Sequence, residues 1–288
     1  MMRRMYCWLC LLVCGWSFAL LAAVNPSPLR ASQQVLSADL LVRIAAEDNW
    51  PPFSDHNGRG LSFQLVKAAL APQGYQLQLT PVPYARALHL TARGKTDALW
   101  NVTRQSNTLR DYVLHQTPLF QAASSFYYAY QTKPYRSVAD IPDNTVIGVI
   151  LGYEYGDLYE QHKHRFKLVE VSQHLQLIQL LQQQRVELAI FFDDVLQWYL
   201  QQEPVEGSLP VRGHLNHVSD IFVAFAKDSP RSKVLAGALD QGLAQLKQNG
   251  EYQRLLQLYL PQGQQVPLVL QQHAALSPLN SHPRGFTR

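Results

Sequence analysis

Two arginines stand close together in residues 94–120, GKTDALWNVTRQSNTLRDYVLHQTPLF. The stretch reads as a helix end at Gly94, a strand, a polar loop holding Arg104 and Arg110, then Thr117-Pro118. A guanidinium just past a strand's C-terminal end is placed to receive an anion. It offers a carboxylate two parallel, charge-assisted hydrogen bonds, and ligands of open α/β sheets collect at that end. Arg110 is the first candidate and Arg104 its rival. Asn101 and Thr103, at the strand's end, could bond the same group. The competing reading of Arg110 is a surface pair with Asp111, which contributes little.

Other residues carry usable chemistry. Trp50 lies in a loop stiffened by Pro51 and Pro52, where its ring could stack on an apolar group or a cation, or simply pack between loop and helix. Gly152-Tyr153-Glu154-Tyr155 is predicted to open a helix, an anion-friendly point. Glu154 there either opposes an anion or caps the helix. Tyr153 and Tyr155 either line a cleft or pack on a sheet. Asp193 and Asp194 follow the strand VELAIFF and both suit an N-cap. The histidine pairs His162/His164 and His214/His217 lack ligand spacing with a carboxylate nearby, and the first sits in the basic run KHRFK. No metal or cofactor is expected. Neither G-x-S-x-G, a P-loop nor H-E-x-x-H occurs.

The elements that must position these residues follow an α/β rhythm. Residues 40–45 are a short apolar run, read as a buried strand. Residues 61–70 carry apolar positions 61, 65, 66, 69 and 70 on a helical period and stop at Pro72 and Gly74. Tyr75, Leu77 and Leu79 alternate with polar residues, as in a strand. Residues 84–93 return to helix, and 96–102 to strand. This β-α-β-α-β order is the signature of a parallel sheet covered by helices. The pattern then repeats: strands at 124–130, 145–150, 166–171, 186–192 and 219–226, a glutamine-rich helix at 173–184 with Leu175, Leu177, Ile178 and Leu181 inward, and closing helices at 230–249 and 251–260.

Composition limits the class. The first 23 residues have a basic start, Arg3 and Arg4, and an apolar run to about Ala23, the layout of a secretory signal peptide. A retained anchor and a lipoprotein signal at Cys14 are the alternatives. All three cysteines, Cys7, Cys10 and Cys14, lie in this leader. The exported chain would therefore hold no disulfide and no thiolate site. Without Arg3 and Arg4 the 25 basic residues become 23 against 21 acids, nearly neutral and without the basic stripe of a nucleic-acid binder. About 265 residues of a chain that is 47% apolar overall can bury one large or two medium cores. Residues 264–288 read as a Gln- and Pro-rich flexible tail.

The chain resembles the family 3 bacterial extracellular solute-binding proteins, the amino-acid receptors of ABC importers. The resemblance rests on Asn49-Trp50-Pro51-Pro52-Phe53 after the first strand, and on Val82-Pro83-Tyr84-Ala85-Arg86-Ala87-Leu88. It also rests on Gly94 to Asp97 with Arg110 and Thr117-Pro118, on residues 147–153 (IGVILGY), and on the closing helix pair 239–260. It implies a two-lobed periplasmic-binding-protein-like fold: each lobe a mostly parallel sheet flanked by helices, lobe one at 38–128 plus 222–262, lobe two at 129–221, with hinge strands near 127–130 and 219–222. It implies an inter-lobe cleft for an amino acid or related carboxylate. Trp50, Tyr84 and Arg110 would hold the ligand from lobe one, Arg110 clamping its carboxylate, and Tyr153, Tyr155 and Asp193 would complete the site. The family's ammonium-binding aspartate slot falls on Phe192, with Asp193 one residue later. The expected protein is a monomeric, periplasmic, non-enzymatic receptor for an importer. A sensing module for a membrane partner, or a dehydratase-like enzyme, are the alternatives.

Overall fold

The computed structural model describes residues 39–130, 135–202 and 207–260. The expected signal peptide with its cysteines and the expected tail lie outside these residues. The described chain is an α/β fold built on a nine-stranded mixed sheet. Its strands are β1 (Leu41–Glu47), β2 (Gln76–Val82), β3 (Ala98–Thr103), β4 (Tyr112–Leu114), β5 (Phe120–Tyr128), β6 (Val146–Ile150), β7 (Lys167–Val171), β8 (Leu188–Phe192) and β9 (Val211–Ala226). They run in the order β2-β1-β3-β9-β5-β8-β6-β7, with β4 also on β9. The helices are α1 (Leu61–Leu70), α2 (Tyr84–Ala92), α3 (Ser106–Asp111), α4 (Asp157–His162), α5 (His174–Gln182), α6 (Asp193–Gln202), α7 (Ser232–Gln248) and α8 (Glu251–Tyr259).

The sheet has two similar halves. β1 pairs in parallel with β2 on one side and β3 on the other. β6 does the same with β7 and β8. Between them runs an antiparallel ribbon, β5 with β9. β9 is long enough to serve both halves: Val211 to Ile221 pair with β5, and Ile221 to Phe225 pair with β3. β5 meets β8 from Ser124 to Tyr127. β3 and β8 are buried along their whole length, as expected of parallel strands covered on both faces.

Helical periodicity explains most of the packing. In α1 all five apolar positions, Leu61, Leu65, Val66, Ala69 and Leu70, are buried. In α5 the buried stripe is His174, Leu177, Ile178 and Leu181. These stand at i, i+3, i+4 and i+7, so Leu175, expected inward, falls off the stripe and is exposed.

Two segments fold differently from expectation. The loop expected to hold both arginines winds after Gln105 into a short helix, α3, which takes in Arg110 and is followed by strand β4 on β9. Gln105 caps α3 by a reciprocal exchange with Thr108, which satisfies two helix-start groups. Gly152 does not open a helix. Residues 152–156 are a loop turned by Gly152 (φ 80°) and Gly156 (φ 92°), and α4 begins at Asp157. The Tyr155 hydroxyl accepts the Ile150 N–H at 3.0 Å and folds the loop back on its own strand.

Candidate functional site

Each half has a point where the chain leaves one central strand to opposite sides. β1 lies between β2 and β3, and β6 between β7 and β8. The C-terminal ends of such strands form a natural crevice. Glu47 is the last residue of β1, Asn101 and Thr103 lie at the end of β3, and Phe192 is the last residue of β8. Tyr153 and Glu154 are on the loop after β6. The two crevices face each other. Together with Trp50 and Tyr84 these residues line one recess with about 190 Å³ free of protein atoms.

The polar groups of the recess are bonded across it. Tyr153 Oη donates to Glu47 Oε1 at 2.5 Å, and Asn101 Nδ2 to Glu47 Oε2 at 2.8 Å. Tyr84 Oη donates to Glu154 Oε2 at 2.7 Å, with Thr103 Oγ1 at 3.3 Å and Thr103 N at 3.4 Å. Asn101 sits in the left-handed region (φ 66°), where the β3–β9 register shifts. Asparagine tolerates that conformation, and such bulges re-aim a side chain. Ser62 Oγ, on α1, bonds Asn101 Oδ1 and fixes its amide.

Around these groups is an aromatic wall. Trp50 lies 4.4 Å from Phe53 and 5.0 Å from Phe192, ring centre to ring centre. Tyr84 meets Tyr153 edge-on at 5.3 Å. The Trp50 turn is closed by paired backbone bonds to Ser54. Its indole N–H is buried and has no partner among the described residues.

Burial sets the electrostatics. Glu47 is 1% exposed and Glu154 7%. Desolvation pushes the Glu47 carboxyl up to about 8, against the pull of Tyr153 and Asn101. It pushes Glu154 up to about 7, opposed by Tyr84 and Thr103. The recess lining contains no lysine, arginine or histidine.

The halves also touch beside the recess. Ser106 N and Oγ both bond Asp157 at 3.2 Å, and Gly156 N bonds Gln105 Oε1 at 3.2 Å. Asn49 bonds Ser172 O at 3.1 Å and accepts from Tyr199 Oη at 2.6 Å.

Of the residues singled out in the sequence, Trp50, Tyr84, Asn101, Thr103 and Tyr153 line the recess. Tyr155 is beside it, buried and stacked on Phe192 at 6.0 Å. The other three stand elsewhere. Arg110 is on the outer side of α3, its side chain 71% exposed and paired with Asp111 at 2.8 Å. Arg104 is exposed, with its guanidinium 4.5 Å over the Phe222 ring and bonded to His115 O. Asp193 turns toward the central ribbon, accepting from Tyr127 Oη, Ser125 Oγ and Arg212. Three lining residues were absent from the sequence-based site. Glu47 had one signal, a carboxylate ending an apolar strand. Phe192 fills the slot where an aspartate was expected. Glu154, read as a cap or an opponent of anions, is a lining acid.

Residues 42–262 match the bacterial extracellular solute-binding proteins, family 3. No curated protein matches the sequence. Several solved structures share the two-lobed periplasmic-binding-protein fold. The P235GK mutant of ArgBP from T. maritima is 15% identical, with a TM-score of 0.66 over 79% of this chain and 98% of its own. AbpA, an amino acid ABC transporter substrate-binding protein from Streptococcus pneumoniae bound to L-arginine, is 22% identical. Its TM-score is 0.63, over 78% of this chain and 96% of its own. The ancestral amino-acid-binding protein AncCDT-1, a precursor of cyclohexadienyl dehydratase, is 16% identical, with a TM-score of 0.63 over 79% and 98%.

Proposed function

The chain belongs to the bacterial extracellular solute-binding proteins of family 3, and from that premise we propose that it captures a small polar solute, an amino acid or a molecule of that size, in the recess. The observation that carries the reading is the meeting of polar side chains from both halves in one aromatic-walled space: Glu47 with Tyr153, and Tyr84 with Glu154. A solute that touches both sides stabilises the closed arrangement over an open one. The halves act as lobes, 38–128 with 222–262 and 129–221, and β5 and β9 are the hinge. The protein is exported to the periplasm and acts as a monomer. It delivers its solute to an ABC-type importer; reporting to a membrane sensor is the alternative destination.

Titration of the protein with amino acids, small amines and carboxylates, followed by tryptophan fluorescence, tests capture. Trp50 lines the recess, so a bound solute should change its emission saturably. Micromolar binding corresponds to about −8 kcal/mol. A folded protein that answers none of them would sink the reading.

A second reading draws on Glu47 and Glu154. A buried carboxyl raised toward neutrality suits proton transfer, and AncCDT-1 is described as the precursor of a dehydratase. Turnover would appear as a new product in the NMR spectrum of a solute incubated with the protein. Unchanged solute after prolonged incubation at stoichiometric protein would exclude it for that solute.

A further inference from the structure

The recess has acids and no base. Glu47 and Glu154 line it, and no lysine, arginine or histidine does. Both acids are bonded by neutral donors alone: Tyr153 and Asn101 on Glu47, Tyr84 and Thr103 on Glu154. The bonds to Glu154 all fall on Oε2, so Oε1 has no bonded partner among the described residues. A buried carboxylate without a counter-ion is costly, and nothing in the lining supplies one.

The second observation is Trp50. Its side chain is 1% exposed, it lines the recess, and its indole N–H has no partner among the described residues. A buried donor left unpaired is costly, and a ligand acceptor would satisfy it. One neutral N–H suits a hydroxyl or amide oxygen. A carboxylate asks for more: a cation and preferably two parallel donors. Both arginines of the preceding segment point away from the recess, Arg110 to Asp111 and Arg104 to Phe222.

Resting on the solute-binding reading, we propose that this recess selects a small amine that also carries a hydroxyl or amide oxygen, its ammonium between Glu47 and Glu154 against the aromatic wall, and that a carboxylate on the ligand is not required. A single ammonium supplies the counter-charge for one ionised acid, while the other can keep its proton and stay neutral. The rings of Trp50, Tyr84, Tyr153 and Phe192 add attraction for a desolvated cation. The recess is narrow and partly open to solvent, which favours a compact ligand.

Matched pairs test this by calorimetry on the folded protein: ethanolamine with serine, glycinamide with glycine, and alaninamide with alanine, with succinate as a carboxylate lacking nitrogen. The expected result is that in at least one pair the amine binds as tightly as its amino acid or tighter. Glu47→Gln and Glu154→Gln should each weaken that amine tenfold or more. If the amino acid of every binding pair exceeds its amine tenfold, or if succinate binds, the amine inference falls while solute capture stands. If no probe binds, both fall. Where a glutamine variant fails to fold, the ratio within each pair on the unaltered protein still decides.

Discussion

Tyr153 and Glu47, 106 residues apart, share a 2.5 Å hydrogen bond that joins the loop after β6 to the end of β1. Each belongs to a different half of the sheet, so the bond closes the recess. Tyr153→Phe keeps the ring against Tyr84 and removes the donor. Buried Glu47 Oε1 then loses its partner, and the expected loss is about 1–2 kcal/mol. Urea denaturation measures it. The same variant should have a larger radius of gyration by small-angle scattering, because a contact between the halves is gone.

The two buried acids make stability depend on pH. Glu47 is faced by Tyr153, Asn101, Asp48 and Glu154, and Glu154 by Tyr84, Thr103 and Glu160. Burial lifts Glu47 to about 8 and Glu154 to about 7, so the folded protein holds protons that the unfolded chain releases near 4.5. Between these values the folded state binds more protons, and stability falls as pH rises. The solute-free protein should therefore lose thermal stability from about pH 7 to pH 8, above the range in which the histidines His115, His174, His214 and His217, all lowered by desolvation, act in the opposite sense, and Glu47→Gln should flatten that slope. A melting temperature rising over this range would contradict the burial of both acids.

Arg110→Ala should leave the affinity for any bound probe within twofold. The guanidinium is 71% exposed and bonded to Asp111, and such a surface pair contributes little. Calorimetry on the variant checks it; a loss of tenfold or more would mean that α3 rearranges to bring Arg110 to the ligand.

The fate of Arg110 marks where sequence reading stopped. Strand and helix periods were legible, because burial imposes them directly: α1 kept all five apolar positions inward, and the run 186–192 became the fully buried β8. Trp50, Tyr84 and Asn101 were legible because they sit at the ends or starts of such elements. The arginines were not. Whether a side chain just past a strand faces the crevice or solvent depends on how the next residues fold, and Gln105 with Thr108 wound them into α3. Glu47 escaped notice because a lone acid ending a strand carries no period, and its partners are 54 and 106 residues away.

Asp193→Asn separates structure from binding. Asp193 ties Tyr127 and Ser125 of β5 to Arg212 of β9. Arg212 is half exposed, so solvent weakens the pair, and the expected cost is about 1 kcal/mol in urea denaturation. Probe affinity should stay within twofold, since Asp193 is not in the recess lining. A selective loss of amine binding would instead bring Asp193 into the site.

Gly152→Ala probes a close approach between the two halves. Gly152 has φ 80°, and an added Cβ would stand 3.0 Å from Ala85 Cβ at the start of α2, in the other half. Two effects follow, and they can be told apart. The left-handed backbone strains any L side chain by about 1–2 kcal/mol, wherever the halves sit. The contact with Ala85 is felt when the halves are closed. Adding Ala85→Gly removes the 3.0 Å contact and leaves the strain and a 3.3 Å approach to the Ala85 backbone, so it restores only part of what the contact costs. The single variant should therefore be less stable and bind its probe more weakly. The double variant should recover part of the affinity without the part of the stability lost to strain. If Ala85→Gly restores nothing, the weaker binding comes from the loop carrying Tyr153 and Glu154 out of register, and the Ala85 side-chain contact at Gly152 plays no part in capture.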